Sequence, residues 1–173
     1  DLASVALSGG NTPKAFLQAL GLQVLDWSRV VVTLVDERWV PESSARSNAA
    51  LLKANLLDGP AAMARFVPLY RAVPQPEDAL VDIARTLHML PLPFDALVLG
   101  MGNDGHTASL FPGAGQLKQV LASTEPYAAL DASGCPVAGD WTLRRSSPGS
   151  NGFLGRVGTD SSAGSSSASP AER

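Results

Sequence analysis

The sequence holds a single cysteine, Cys135, among 173 residues. A lone thiol closes no internal disulfide and builds no cysteine metal cluster, so a secreted disulfide scaffold is excluded. Cys135 reads as a structural thiol. Histidine is nearly as scarce, with only His88 and His106. No His–His or His–Cys constellation exists, so no metal site is expected. A basic excess is also lacking: charged residues make up 17% of the chain and the formal net charge is -3. That argues against a nucleic-acid partner, which calls for a basic face. It leaves room for a phosphorylated small molecule, because a few cations and backbone N–H groups suffice to hold one phosphate. No apolar run reaches the length of a transmembrane helix, so no membrane partner is expected. A basic-then-apolar leader is missing as well, which predicts a cytoplasmic protein. The first residue is Asp rather than Met and an apolar stretch follows at once, which reads as a chain whose natural start lies upstream.

What is present is an alternation of apolar strands and amphipathic helices, enough for one compact domain. Ser4-Val5-Ala6-Leu7 reads as a strand running into the turn Ser8-Gly9-Gly10-Asn11. Thr12 and Pro13 predict a helix start, with Thr12 as N-cap and Ala15, Phe16, Ala19 and Leu20 as its apolar face. Residues 30–35 are almost all β-branched, as in a strand buried on both faces of a parallel sheet, and stop at the charged turn Asp36-Glu37-Arg38. Ser47-Asn48 caps a second helix that runs to about Leu57. Phe66-Val67-Pro68-Leu69 suits a short edge strand. Pro76-Glu77-Asp78 opens a third helix, with acids favouring its dipole and Leu80, Ile83, Ala84, Leu87 and Leu90 as its buried stripe. Residues 94–99 predict a third buried strand, ending at Gly100-Met101-Gly102. This order predicts an α/β domain, a Rossmann-like open parallel sheet flanked by helices, over residues 1–138. Residues 139–173 contain 9 Ser and 6 Gly without sustained periodicity, and read as a disordered tail.

Three polar or glycine-rich segments follow strands directly, at 8–12, 36–38 and 100–106. Ligands of open α/β sheets bind outside the carboxyl ends of strands, so the three are expected to converge. In the first, a glycine pair ahead of a helix suits an anion, with Ser8 and Thr12 as hydroxyl donors; an ordinary βα turn explains it equally well. In the second, Arg38 offers a planar fork to a phosphate or carboxylate, and Asp36 an acceptor for a sugar hydroxyl or a proton. The bland alternative is a surface ion pair beside a Trp39 that packs a loop. In the third, His106 sits two residues from Asp104 on a glycine-rich loop. An imidazole moves protons near neutral pH, and the acid can orient it. His88, without an acid or second histidine nearby, reads as a surface or partly buried residue.

Together these segments resemble the glucosamine-6-phosphate isomerase/6-phosphogluconolactonase family. The resemblance rests on Leu-Ser-Gly-Gly-Asn-Thr-Pro at 7–13, Asp-Glu-Arg-Trp-Val-Pro at 36–41 with Ser47-Asn48 behind it, and Gly-Met-Gly-Asn-Asp-Gly-His-Thr-Ala-Ser-Leu-Phe-Pro-Gly at 100–113. It covers residues 1–138 and implies hydrolysis of 6-phospho-D-glucono-1,5-lactone in the oxidative pentose phosphate pathway, with no cofactor. It implies His106 as the base that activates water, with Asp36 and Asp104 lining the sugar site. Ser8, Gly9, Gly10, Asn11, Thr12, Arg38 and Gly102 would contact the substrate, with Gly9 to Thr12 cradling its phosphate. The deaminase branch carries Gly-His-Ile-Ala-Phe-Asn-Glu-Pro in the third motif, and Phe111 stands here at the position of its glutamate. The Ser-Gly-Gly turn also suits the lactonase branch. A deaminase-like isomerase and an inactive, truncated sugar-phosphate-binding domain are the alternatives. The family begins about one helix and one strand earlier and continues with strands, helices and a late basic residue that 139–173 does not match. A fold incomplete at both ends is therefore expected, with a break of reading frame or a fragmentary gene model near Gly139.

Overall fold

The computed structural model describes residues 1–123, 127–133, 135 and the backbone of 141–145. The expected break near Gly139 lies outside these residues, as does the tail from 146 onward. Four strands form an open parallel sheet: β1 (Ala3–Leu7), β2 (Val30–Leu34), β4 (Arg65–Val67) and β5 (Ala96–Val98), in the order β4-β2-β1-β5. Every pairing within it is parallel. The expected Rossmann-like open sheet with flanking helices is thus observed. β4 stands at one edge, where Pro68 beyond it costs no ladder bond. β5 is the other edge, and Leu97 is 39% exposed. The expectation of a third buried strand is corrected here: among the described residues β5 has one neighbour, β1. β2 behaves as predicted, with Val31, Val32 and Leu34 buried. Its one polar side chain, Thr33, donates its hydroxyl to the Val67 carbonyl at 2.8 Å.

The helices are short. α2 (Asn48–Asn55) starts as predicted: the Ser47 hydroxyl accepts from the Ala50 N–H at 3.1 Å. Leu52 and Leu56 are fully buried, a gain of about 2 kcal/mol each. α3 (Leu80–Leu87) continues a 3₁₀ turn at Pro76–Ala79 and buries Ile83, Leu87 and, just beyond it, Leu90. α1 (Lys14–Gly21) departs from expectation in two ways. Pro13 is its N-cap, and Thr12 lies outside the helix and exposed. Its buried face is Leu17 and Gly21, whereas Phe16 is 45% exposed. The cause is the approach of α2: a Cβ on Gly21 would lie 2.7 Å from the Leu56 carbonyl oxygen, so α1 turns its glycine inward.

A second sheet is not legible in the sequence. β3 (Asp36–Arg38), β6 (Tyr127–Asp131) and β7 (Trp141–Arg145) pair antiparallel in the order β3-β7-β6, and α4 (Leu117–Ala122) precedes β6. The charged trio at 36–38 is therefore a strand and not a turn. Residues 141–145, expected to belong to a disordered tail, supply its partner. No helix among the described residues is long and apolar enough to cross a membrane.

A candidate active site at the carboxyl ends of three strands

The register of the parallel sheet places the three motifs. Leu7 pairs with Leu34 on one side and with Val98 on the other, so β1, β2 and β5 end level. Two further bonds extend the ladder, Val35 N–H to the Leu7 carbonyl and Ser8 N–H to the Val98 carbonyl, each at 3.0 Å. The chain then leaves the sheet in all three places at once. A polar cavity of about 230 Å³ opens there, lined by Ser8 to Pro13, Asp36, Arg38, Asn48, Gly100 to Gly102, His106 and Ala108. Of the candidates read from sequence, Ser8, Gly9, Gly10, Asn11, Thr12, Asp36, Arg38, Gly102 and His106 all line it. A larger cavity of about 360 Å³ lies elsewhere, walled by Val5, Leu20, Leu25, Val30 and Leu56. Asp1, Asp26 and Arg29 also line it, but Arg29 is spent on the Asp1 carbonyl and the walls are otherwise apolar, so the smaller cavity is the candidate site.

Asp104 is not among the described lining residues. Its carboxylate accepts from Nδ1 of His106, and from the His106 N–H at 3.3 Å. The hydrogen bond from His106 holds the Asp104 carboxyl below the usual carboxylate range. With Nδ1 as the donor, Nε2 carries the lone pair of the neutral ring. The ring is further fixed by Phe111, fully buried with its centroid 4.7 Å away. Gly102 is required beneath it, since a Cβ there would meet His106 Cε1 at 2.2 Å and Nδ1 at 2.3 Å.

Opposite, the glycine turn at 8–12 leads into α1, whose positive end suits an anion. Gly9 is pressed against Asn48, whose Oδ1 would lie 2.0 Å from an added Cβ. Arg38 donates Nη1 to the Arg46 carbonyl at 3.0 Å, while its Nε is buried without a hydrogen-bond partner among the described residues. A buried, unsatisfied guanidinium N–H beside a cavity is suited to a phosphate or carboxylate oxygen. Trp39 packs the loop, as its bland reading held: Nε1 donates to the Val73 carbonyl at 2.9 Å and the ring leans on Tyr70.

The sequence assigns no site role to three residues of consequence. Glu37 is fully buried beneath α2. Its carboxylate accepts from the N–H groups of Asn48 at 2.7 Å, Ala49 at 2.8 Å and Arg38 at 2.9 Å. Burial raises it to about 7, against the opposing pull of those N–H donors. Asn48 donates its side-chain amide to the Asp36 carbonyl at 3.0 Å and so ties the second motif to the first. Ser109, fully buried, donates its hydroxyl to Asp36 Oδ2 at 2.5 Å. Ala108 and Ser109 have φ of 47° and 61°, in a turn closed by the Leu110 N–H on the Thr107 carbonyl at 2.8 Å. Two successive left-handed residues without glycine cost about 1 kcal/mol each or more.

The glucosamine-6-phosphate isomerases/6-phosphogluconolactonase family model matches residues 1–136. A 6-phosphogluconolactonase of Pseudomonas aeruginosa is 58% identical over 110 residues, 64% of this chain and 46% of that protein. One of Rhizobium meliloti is 53% identical over 124 residues, 72% of this chain and 53% of that protein. Among solved structures, a 6-phosphogluconolactonase from Shewanella baltica superposes with a TM-score of 0.78 at 37% identity, covering 83% of this chain and 60% of that one. A monomeric glucosamine-6-phosphate deaminase shares the fold, with a TM-score of 0.62 at 15% identity over 83% of this chain and 64% of that one. The chain spans about half the length of the curated relatives it matches.

Proposed function

The chain belongs to the glucosamine-6-phosphate isomerase/6-phosphogluconolactonase family, and from that premise we propose that it hydrolyses 6-phospho-D-glucono-1,5-lactone to 6-phosphogluconate. The observation that carries the reading is one cavity walled by the Ser8–Thr12 turn and Arg38 on one side and by His106 on the other. The first wall suits the phosphate, and Asp36 between the walls suits the sugar hydroxyls. Asp104 takes the Nδ1 proton of His106, so Nε2 acts as base. It removes a proton from water as the oxygen adds to the lactone carbonyl. The bond between carbonyl carbon and ring oxygen then breaks, and the proton returns from Nε2 to that oxygen, which leaves as a hydroxyl group. No cofactor enters these steps. The cytosol and the pentose phosphate pathway are the setting this reading implies.

Phe111 favours this reading over amino-sugar isomerisation, because the side chain against His106 is apolar and transfers no proton. The test is a pair of assays on the whole chain. Freshly made 6-phospho-D-glucono-1,5-lactone is followed by acid release above its spontaneous hydrolysis, and glucosamine 6-phosphate by ammonia release. Acid without ammonia is expected. Ammonia without acid contradicts the proposal, and neither, with 6-phosphogluconate still bound, reduces the chain to a binding domain.

A further inference from the structure

Asp36 lines the cavity between its two walls and is 7% exposed, so its carboxylate has little freedom of its own. One group that holds it comes from 73 positions away: Ser109 donates to Oδ2 at 2.5 Å. Ser109 reaches that place only because Ala108 and Ser109 take left-handed conformations. The same turn puts Ala108 on the cavity wall. A strained turn without glycine is kept where the surrounding structure over-determines it, and here it delivers one hydroxyl to one carboxylate. A glycine would take this backbone at no steric cost but would carry no hydroxyl.

We propose that Ser109 is a positioning residue: it fixes the Asp36 carboxylate through the left-handed Ala108-Ser109 turn, and thereby sets how the site holds the hydroxyls of its sugar phosphate. This rests on the sugar-phosphate reading above. Ser109 itself touches no substrate. The hydroxyl binds one carboxylate oxygen and limits rotation about the Asp36 side chain, which fixes the orientation the carboxylate presents to the cavity. Such preorganisation acts on the sugar end of the ligand and leaves the phosphate end alone.

The test uses the full chain as wild type, Ser109→Gly, Asp36→Ala and the double variant, titrated calorimetrically with 6-phosphogluconate and with inorganic phosphate. Ser109→Gly suits the turn, so the fold is retained while the hydroxyl is lost. It is expected to weaken 6-phosphogluconate about tenfold and to leave inorganic phosphate within about twofold. In the Asp36→Ala background, where the acceptor is gone, the same change is expected to cost nothing further, since two residues acting as a unit are not additive. Unchanged 6-phosphogluconate affinity in Ser109→Gly overturns the inference, as does an equal loss for both ligands or full additivity in the double variant. A wild-type chain that fails to bind 6-phosphogluconate removes the sugar-phosphate reading and this inference with it. A wild type that binds it, with Ser109→Gly unaffected, removes the inference alone.

Discussion

Asp36 and Glu37 are neighbouring acids on β3, and the two faces of that strand treat them differently. Alternation along a strand sends one side chain to the polar cavity and the next beneath α2. Asp36 meets Ser109 and the open space where a ligand fits. Glu37 meets three backbone N–H groups and Ser47, with no solvent at all. One acid faces the cavity of the proposed active site and the other holds the strand against the helix that follows. Chemical identity does not separate them; a single residue of register does.

The largest effect on this contrast comes from deleting Glu37. Glu37→Ala orphans three N–H donors and opens a cavity, and should cost about 4 kcal/mol in urea unfolding. Asp36→Asn should stay within about 1 kcal/mol of wild type. Equal losses in the two variants would erase the distinction between the faces.

Next comes pH. Glu37 is raised from 4.5 to about 7 by burial, so the folded chain keeps a proton that the unfolded chain releases between those values. Its contribution to stability is therefore whole below about 4.5 and is lost as pH rises through 7, by about 3 kcal/mol in total. The difference in unfolding free energy between wild type and Glu37→Gln should decline over that window. A difference that is flat from pH 5 to 7.5 would mean that Glu37 is not held as a buried acid.

These two acids also show what the sequence concealed. Strand β2 announced itself by a run of β-branched residues, and α2 by Ser47 at its cap. Residues 36–38 carry three charges and little β-propensity, and their partner β7 lies about a hundred positions on, so local pattern read them as a turn. Which acid would face the cavity depended on that pairing. The convergence of the three loops was legible, because parallel strands ending level force it. Ser109 was not, since nothing in Thr-Ala-Ser-Leu signals a left-handed turn in the absence of glycine or asparagine. The face of α1 failed for another reason: Ala15, Phe16, Leu17, Ala19 and Leu20 offer apolar residues on two sides, and only the approach of α2 to Gly21 chooses between them.

Smaller effects sharpen the picture on the cavity side. Gly102→Ala puts a methyl group where the His106 ring lies, and should lower kcat/KM about tenfold with less than about 1 kcal/mol of destabilisation. Undiminished turnover in that variant would show that the ring position is not critical. Smallest of all, Phe16→Ala on the exposed side of α1 should shift stability by no more than about 0.5 kcal/mol. A loss of 2 kcal/mol or more, of the size expected for a buried aromatic, would restore the helix face read from the sequence.

In the proposed hydrolysis the chemistry falls to His106, held by Asp104 on the rim of the parallel sheet. That role is tested most directly by hydrolysis of fresh 6-phospho-D-glucono-1,5-lactone by wild type and His106→Ala, with circular dichroism confirming that both are folded. Wild type is expected to accelerate the reaction, and the variant to lose about 10²- to 10⁴-fold of that rate. A folded His106→Ala protein that turns the lactone over at the wild-type rate would contradict that role.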